Sequence, residues 1–424
     1  MVGPGDANAN ADTAAARAWA ASGAMWLTGH ADGPPLAPPW AVVPALAATA
    51  DELRRLSALV GAEVTVDVGE LLTGRAALLG LTRQGRTSAN GTCRLLPTTD
   101  GWVAINLARP SDVEALPALV ERPVGDDPWA TLSRAAARLA TADLVERGVL
   151  LGMPVAALPD EPPRYPHGHR HLPDPGTGAA APRDAGSLLV VDLSSMWAGP
   201  VCAWLLGRVG MRVVKVESTA RPDGARRGHP GFFGWLHAGH ESVALDLRTP
   251  AGRDRLARLV GRADVVIEAS RPRALAQLGI DAEAVVAGRP GRTWVSITGH
   301  GRHGDAAQRV AFGDDAAVAA GLVARDDAGD PVFCADAIAD PITGLHAAVA
   351  ALTSVVGGGG HLLDVAMVDA VDATLTTPAA TDLPPGTPVA RPRPPRAAGT
   401  AHEVPELGAH TDAVLAELGI PAPC

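Results

Sequence analysis

The residues with the strongest chemical potential lie in FCADAIADPITGLHAAVAAL (333–352), where Asp340 precedes about three turns of small apolar residues. An aspartate there suits a helix N-cap, because its oxygen accepts from a free backbone N–H of the first turn. Pro341 suits the first helical position, where its missing N–H costs nothing. That reading needs no chemistry. Other candidates are GHGRHG (299–304), a literal G-x-G-x-x-G after an apolar run, though the following DAAQRVAFGDD has no helical period to complete a dinucleotide fingerprint. His167, His169 and His171 alternate inside a Pro-rich stretch with no Cys or Glu at a metal-ligand spacing. Ser194 and Ser195 lack a G-x-S-x-G elbow. DLSSMWAGP (192–200) ends a strand and opens a helix on small residues, a place where free N–H groups suit an anion. RPDGARRGHP (221–230) offers Arg221, Arg226 and Arg227 for a phosphate clamp, or forms only a solvated turn.

These groups need a scaffold. The chain has 424 residues, too many for one ordinary core, and 47% of them are hydrophobic, so two or more domains can be buried. The net charge of −10 argues against broad binding to nucleic acid or anionic membrane. Four scattered cysteines without a CxxC suit a reducing compartment, and the polar N-terminus lacks a signal pattern; a cytoplasmic protein without a membrane span is expected. LLVVDL (188–193), MRVVKVE (211–217), SVALDL (242–247), DVVIEA (264–269) and TWVSIT (293–298) read as strands. The segments at 199–210 and 249–263 read as intervening helices, so the rhythm is α/β with a parallel sheet covered on both faces. TCRLLPTTDGWVAINL (92–107) reads as a hairpin opening a smaller α+β domain, and residues 405–419 as an amphipathic helix.

Six stretches in order carry a resemblance: VVDLSSMWAGPVCAWLLGRVGMRVVKVE, HAGHESVALDLRTPAGRDRL, ADVVIEASRPRALAQLGI, SITGHG, ADPITGLHAAVAAL and LLDVAMVDA. Together they resemble the class III CoA-transferases, the formyl-CoA and carnitine CoA-transferase family, over residues 187–372. The resemblance implies a Rossmann-like CoA-binding sheet, an interlocked homodimer, no prosthetic group, and acyl-CoA with a carboxylic acid as substrates. It makes Asp340 the covalent nucleophile, kept ionised by its helix N-terminus, with a transfer through an aspartyl anhydride and an aspartyl–CoA thioester. GHG (299–301) would donate N–H groups to the oxyanion. The CoA contacts it implies are Met196, Trp197 and Ala198, with Leu245 under the adenine and Ala269, Ser270 and Ala274 beside it. Three expected contacts are replaced: Ser218 and Gln277 stand for basic residues and Ala269 for an asparagine. Arg226, Arg227, Arg271 or Arg273 are the candidates to compensate, Arg227 foremost among them. In the racemase branch a histidine stands where FGDD (312–315) has Asp314, which argues against an acyl-CoA epimerase. The remaining alternative is a non-catalytic CoA-binding relic or scaffold.

The order of segments departs from the family, since the small-domain segment comes first. Aligning Pro44 with Pro341 also sets Val66-Asp67-Val68 on Leu363-Asp364-Val365 and Val43 on Asp340, a faint repeat whose first copy lacks the nucleophile. The expected division is a disordered N-terminus (1–12), a partial degenerate copy of the large domain (13–90), and a small α+β domain (91–157). A Pro-rich linker (158–186), the CoA-binding large domain (187–375), a second Pro-rich linker (376–401) and a C-terminal helix (402–424) complete it.

Overall fold

The computed structural model describes residues 4–162, 184–396 and 404–421; His167, His169 and His171 lie outside them. The chain opens with three helices, α1 (Pro4–Ser22), α2 (Val42–Val60) and α3 (Val68–Leu79). Helix α1 begins inside the stretch expected to be disordered, because its C-terminal half buries Trp19 and Ala20 and gives the helix something to hold. Along α2, Val42, Leu46, Ala50, Leu53, Leu56 and Val60 fall on one buried face at helical spacing. The Asp67 carboxylate caps α3 by accepting from Glu70 N, and Gly80 ends it at φ +64°.

Strands β1 (Cys93–Pro97) and β2 (Trp102–Asn106) form the hairpin, and β3 (Val155–Ala157) pairs antiparallel with β2. Helices α4 (Pro110–Glu114), α5 (Leu116–Val120), α6 (Pro128–Ala136) and α7 (Thr141–Leu150) cover one face, around Val103, Ile105, Leu116, Leu132 and Leu144. The alternation that buries those residues turns Cys93, Leu95 and Ala104 the other way, onto Val318, Val323 and Phe333 of the larger unit.

That unit runs β4 (Leu189–Asp192), α8 (Ala198–Val209), β5 (Arg212–Ser218), α9 (Pro230–His237), β6 (Glu241–Leu245), α10 (Pro250–Arg262) and β7 (Val265–Glu268). It continues with α11 (Pro272–Gln277), α12 (Ala282–Ala287), β8 (Thr293–Thr298), α13 (Gly313–Ala319) and the hairpin β9 (Val323–Arg325) and β10 (Pro331–Phe333). Last come α14 (Ala339–Val356), β11 (His361–Ala366), α15 (Met367–Asp372) and α16 (Thr411–Glu417). The six-stranded sheet has the order β6-β5-β4-β7-β8-β11 and is parallel throughout. This is the order of a doubly wound dinucleotide-type sheet, as the α/β reading expects, with β11 an added strand that the sequence pattern did not single out.

Both faces are buried. Val190, Val213, Ile267, Val295 and Val365 meet α2, α8 and α14 on one side, while Val191, Val214, Val243, Val266 and Trp294 meet α10, α12 and α16 on the other. Val414 and Leu415 seal the second core. His410 and Thr411 accept from Ser242 N and Ala244 N, which satisfies the open edge of β6.

Two further expectations change. The Pro-rich stretch after residue 375 lies against the N-terminal helices: Ala379 N donates to Pro39 O, and Ala390 N donates to Ala20 O. It is a strap, because extended backbone without a helix partner finds its acceptors there. Helix α14 has the length and apolarity to cross a bilayer, although no such run was expected; 83% of it is buried inside the protein against α2 and α8. Under the internal alignment α2 and α14 begin at equivalent positions, and both pack in the same core.

Candidate active site

In a doubly wound sheet the connections leave to opposite faces where the strand order reverses, and a crevice opens at the carboxyl ends of those strands. Here the reversal lies between β4 and β7. The loop after β4 carries Met196 and Trp197 into Ala198, the first residue of α8, and the loop after β7 carries Ala269, Ser270 and Arg271. Of the expected CoA contacts, Met196, Trp197, Ala198, Ala269 and Ser270 therefore flank the switch point.

The first loop is held from beneath by the chain's single lysine. Lys215 on β5 is buried; its Nζ donates to Ser194 O at 2.9 Å and lies 3.0 Å from Asp223 Oδ2. Burial alone lowers an ammonium pKa, but Asp192 and Asp223 outweigh it and raise this one, so Lys215 stays charged. Asp223 Oδ1 in turn accepts from Met196 N, and Met196 adopts the left-handed conformation at φ +71° with its side chain 45% exposed. Ser194 is buried and donates its hydroxyl to Asp192.

Asp340 is the second residue of α14 and Pro341 the third; the N-cap is Ile338, with no side-chain cap. The capping reading is thus corrected. The turn Ala335–Ile338 tucks the helix start one position earlier, with Ala335 and Ala337 at φ +55° and +42°. The Asp340 carboxylate instead faces the Ala198 N–H at the mouth of α8, which favours its charged form. Gly344 permits this meeting of helices, since a Cβ there would lie 2.5 Å from Val201 Cβ and 2.6 Å from Ala198 O.

Asp340 does not stand alone. Asp336 and Asp314 are both buried beside it. Arg75 Nη1, from α3, donates to both oxygens of Asp336 at 2.8 and 2.7 Å. Asn90 Nδ2 donates to Asp314 Oδ2 at 2.8 Å and to Asp336 Oδ1 at 3.3 Å, and Ala337 N donates to Asp314 Oδ1. The Arg75 guanidinium sits 5.1 Å from the Trp197 ring and 5.6 Å from that of Phe232. Burial pushes the Asp340 pKa up to about 7; Arg75 and the Ala198 N–H oppose that shift, while Asp314 and Asp336 add to it. Burial and Asp336 likewise take Asp314 up to about 6. The expectation of a carboxylate kept ionised by its helix terminus meets opposition here, because burial and two neighbouring acids favour the protonated form.

A cleft of about 760 Å³ opens between the two units, lined by Arg109, Val149, Leu150 and Gly152 on one wall and Arg271, Arg273 and Arg309 on the other. Burial, together with Arg273, Arg109 and Arg221, lowers the Arg271 pKa, as expected where guanidiniums crowd. Asp340 does not line this cleft. It lies one residue behind the wall: Arg109 stacks on Phe312 at 5.8 Å, and a Cβ on the adjoining Gly313 would meet Asp340 Oδ2 at 2.3 Å.

The other expected contacts divide. Trp197 and Ala198 are buried at the α8 start, Ala269 is exposed, and Ser270 donates to Glu268 Oε2 at 3.0 Å. Ala274 lies half-buried in α11, whose chain-mates Arg271 and Arg273 face the cleft. Leu245 is a core residue among Val216, Val243 and Leu256, so an apolar surface contact is corrected to packing. Arg227 is exposed, whereas Arg226 is consumed by Glu217 and Pro405 O. In the GHG turn, Gly301 N already donates to Thr298 Oγ1, so that amide is not a free oxyanion donor. Arg75, Asn90, Asp336 and Arg109 were missed. Asp336 four residues before Asp340 was the one local signal; the others come from segments with no motif of their own.

With the geometry in place, comparison with known proteins is informative. The sequence profile of CoA-transferase family III matches residues 187–406, more than half of the chain. The succinyl-CoA–D-citramalate CoA-transferase of Chloroflexus aurantiacus is 29% identical over 207 residues, covering 46% of this chain and 52% of that protein. The succinate–glutarate CoA-transferase of Agrobacterium fabrum is 30% identical over 232 residues, covering 50% and 56%. A solved CAIB/BAIF family protein from Brucella suis aligns with a TM-score of 0.41 at 31% identity, over 45% of this chain and 55% of that one. The chain spans about half the length of the curated relatives it matches.

Proposed function

The chain belongs to CoA-transferase family III, and from that premise we propose that it moves coenzyme A from an acyl-CoA to a free carboxylic acid, with Asp340 as the nucleophile. The observation that carries this reading is the placement of the Asp340 carboxylate against the start of α8 at the sheet's switch point, behind the Phe312–Gly313 wall of the arginine-lined cleft. An ionised Asp340 oxygen attacks the thioester carbonyl carbon of acyl-CoA, the C–S bond breaks, and the CoA thiolate leaves a mixed anhydride. The thiolate then attacks the aspartyl carbonyl, expels the donor acid and forms an aspartyl–CoA thioester. The acceptor carboxylate attacks that thioester, and the released thiolate takes the acceptor acyl group from the second anhydride, restoring Asp340. Arg271 and Arg273 suit the phosphates of CoA and stand in for the basic residues replaced by Ser218 and Gln277, while Arg109 across the cleft is held by Asp112 and Gly152 O. Succinyl-CoA and short dicarboxylic acids are the first substrates to try, since the named relatives use them.

Incubation with acyl-CoA followed by hydroxylamine or borohydride and mass spectrometry should place a modification on Asp340. Asp340→Ala should lose it while still binding CoA. The second reading, a CoA-binding protein without turnover, draws on Leu245 being locked in the core and Arg226 in an ion pair. It is favoured if CoA binds but no adduct forms on the native chain. Epimerase activity would need α-proton exchange in deuterated water. None is expected, because Asp314 already accepts from Asn90 and Ala337 N.

A further inference from the structure

The catalytic motif belongs to the larger unit, yet the strongest hold on its turn comes from outside it. Arg75 lies 261 residues upstream of Asp336 and meets both of that carboxylate's oxygens through one nitrogen. Its guanidinium is wedged against Trp197 and Phe232, and Asp336 is wholly buried. The turn it grips carries two non-glycine residues, Ala335 and Ala337, in the left-handed region, a conformation that persists only where neighbours enforce it.

We propose that Arg75, supplied by the N-terminal helices, is a positioning residue for Asp340: it clamps Asp336, fixes the turn that starts α14, and sets a positive charge against the three carboxylates. This rests on the nucleophile reading and extends it, because it makes residues 42–90 part of the working site. The groups facing Asp340 are Arg75 from α3, Asp314 from α13, Asp336 from the turn, and the Ala198 N–H from α8. Without Arg75, the buried carboxylates of Asp314 and Asp336 confront half-buried Asp340 with Asn90 and backbone N–H groups among them. The proton would then be held on Asp340 to higher pH. The Asp336 side would lose the partner that holds it against α3.

The test measures Asp340 ionisation without needing turnover. Carbodiimide-and-amine labelling of Asp340, read by mass spectrometry across pH 5–9 (roughly the range in which a raised carboxyl titrates), gives the midpoint directly. In Arg75→Met the midpoint should rise by about one to two pH units. Arg75→Lys should hold it near the native value, and Arg75→Met combined with Asp336→Asn should bring it back down. A folded Arg75→Met chain with an unmoved midpoint overturns the proposal, as does a double variant that stays high. If Arg75→Met does not fold, Asp336→Asn alone decides: a lower midpoint supports the coupling and an unchanged one overturns it. Because labelling needs no acyl-CoA, these outcomes read the same whether or not the native chain transfers CoA. Where it does, the acid limb of kcat/KM should move with the label.

Discussion

The Ala198 N–H that opens α8 faces the carboxylate of Asp340 in the first turn of α14, and Gly344 lets the two helices come that close. A methyl group at 344 has no room, with Val201 Cβ at 2.5 Å and Ala198 O at 2.6 Å. Gly344→Ala should therefore cost about 1–3 kcal/mol of stability, as overpacking does, and should separate Asp340 from its donor. Thermal melting gives the first effect and the yield of the Asp340 adduct the second. A variant that melts and labels like the native chain would contradict this account of the helix contact.

A nucleophilic carboxylate works only when ionised, and Asp340 is raised to about 7 by burial and by Asp314 and Asp336, against Arg75. Transfer should climb with pH through about 7 and fall roughly tenfold for each unit below it. The pH dependence of kcat/KM with saturating acceptor checks this. A plateau reaching down to pH 5, about two units lower, would mean that Asp340 ionises as an ordinary acid.

Stability should follow the reverse trend. Burial lifts Asp315 to about 8 from an ordinary 3.8. A raised folded-state value means that the native chain holds protons the unfolded chain has lost. This contribution is complete below pH 3.8 and is lost as pH rises through 6, 7 and 8, where Asp314, Asp340 and Asp315 ionise in turn. The melting temperature should fall from about pH 4 to 8, and in Asp315→Asn it should fall less, because one of these ionisations is gone. Calorimetry at matched ionic strength measures both slopes.

The cleft arginines make a separate prediction. Arg271→Ala and Arg273→Ala should each weaken CoA by about ten- to a hundredfold, the range for losing a charged hydrogen bond, and added salt should narrow the gap from the native chain. Arg226→Ala should instead lower stability, since Arg226 is bound to Glu217 and Pro405 O. Titration calorimetry with CoA separates the two classes.

Gly313→Ala tests the thin wall behind the cleft. Its Cβ would meet Asp340 Oδ2 at 2.3 Å and Ala337 O at 2.2 Å, so either the nucleophile or its strained turn must move. Labelling of Asp340 should drop even where the fold survives. An unchanged rate would show that α13 yields instead.

What the sequence determined by itself was the part governed by local pattern. Runs such as LLVVDL and TWVSIT can be satisfied only as strands buried on both faces, and the spacing of glycine-ended helices between them dictates a parallel order. Asp340, Trp197 and Ala198 were named through the family resemblance, whose motifs fall at strand and helix ends. Tertiary structure alone decided how they work. Arg75 rests on an unremarkable helix and Asn90 in a turn, and no period in the chain aims both at Asp336. Likewise, whether Leu245 faces a ligand or a core depends on what packs over β6, and whether Asp340 is charged depends on two acids and a guanidinium that folding brings together. Ionisation in a dry cluster is a property of the assembled surroundings, because the field of each neighbour acts across space and not along the chain.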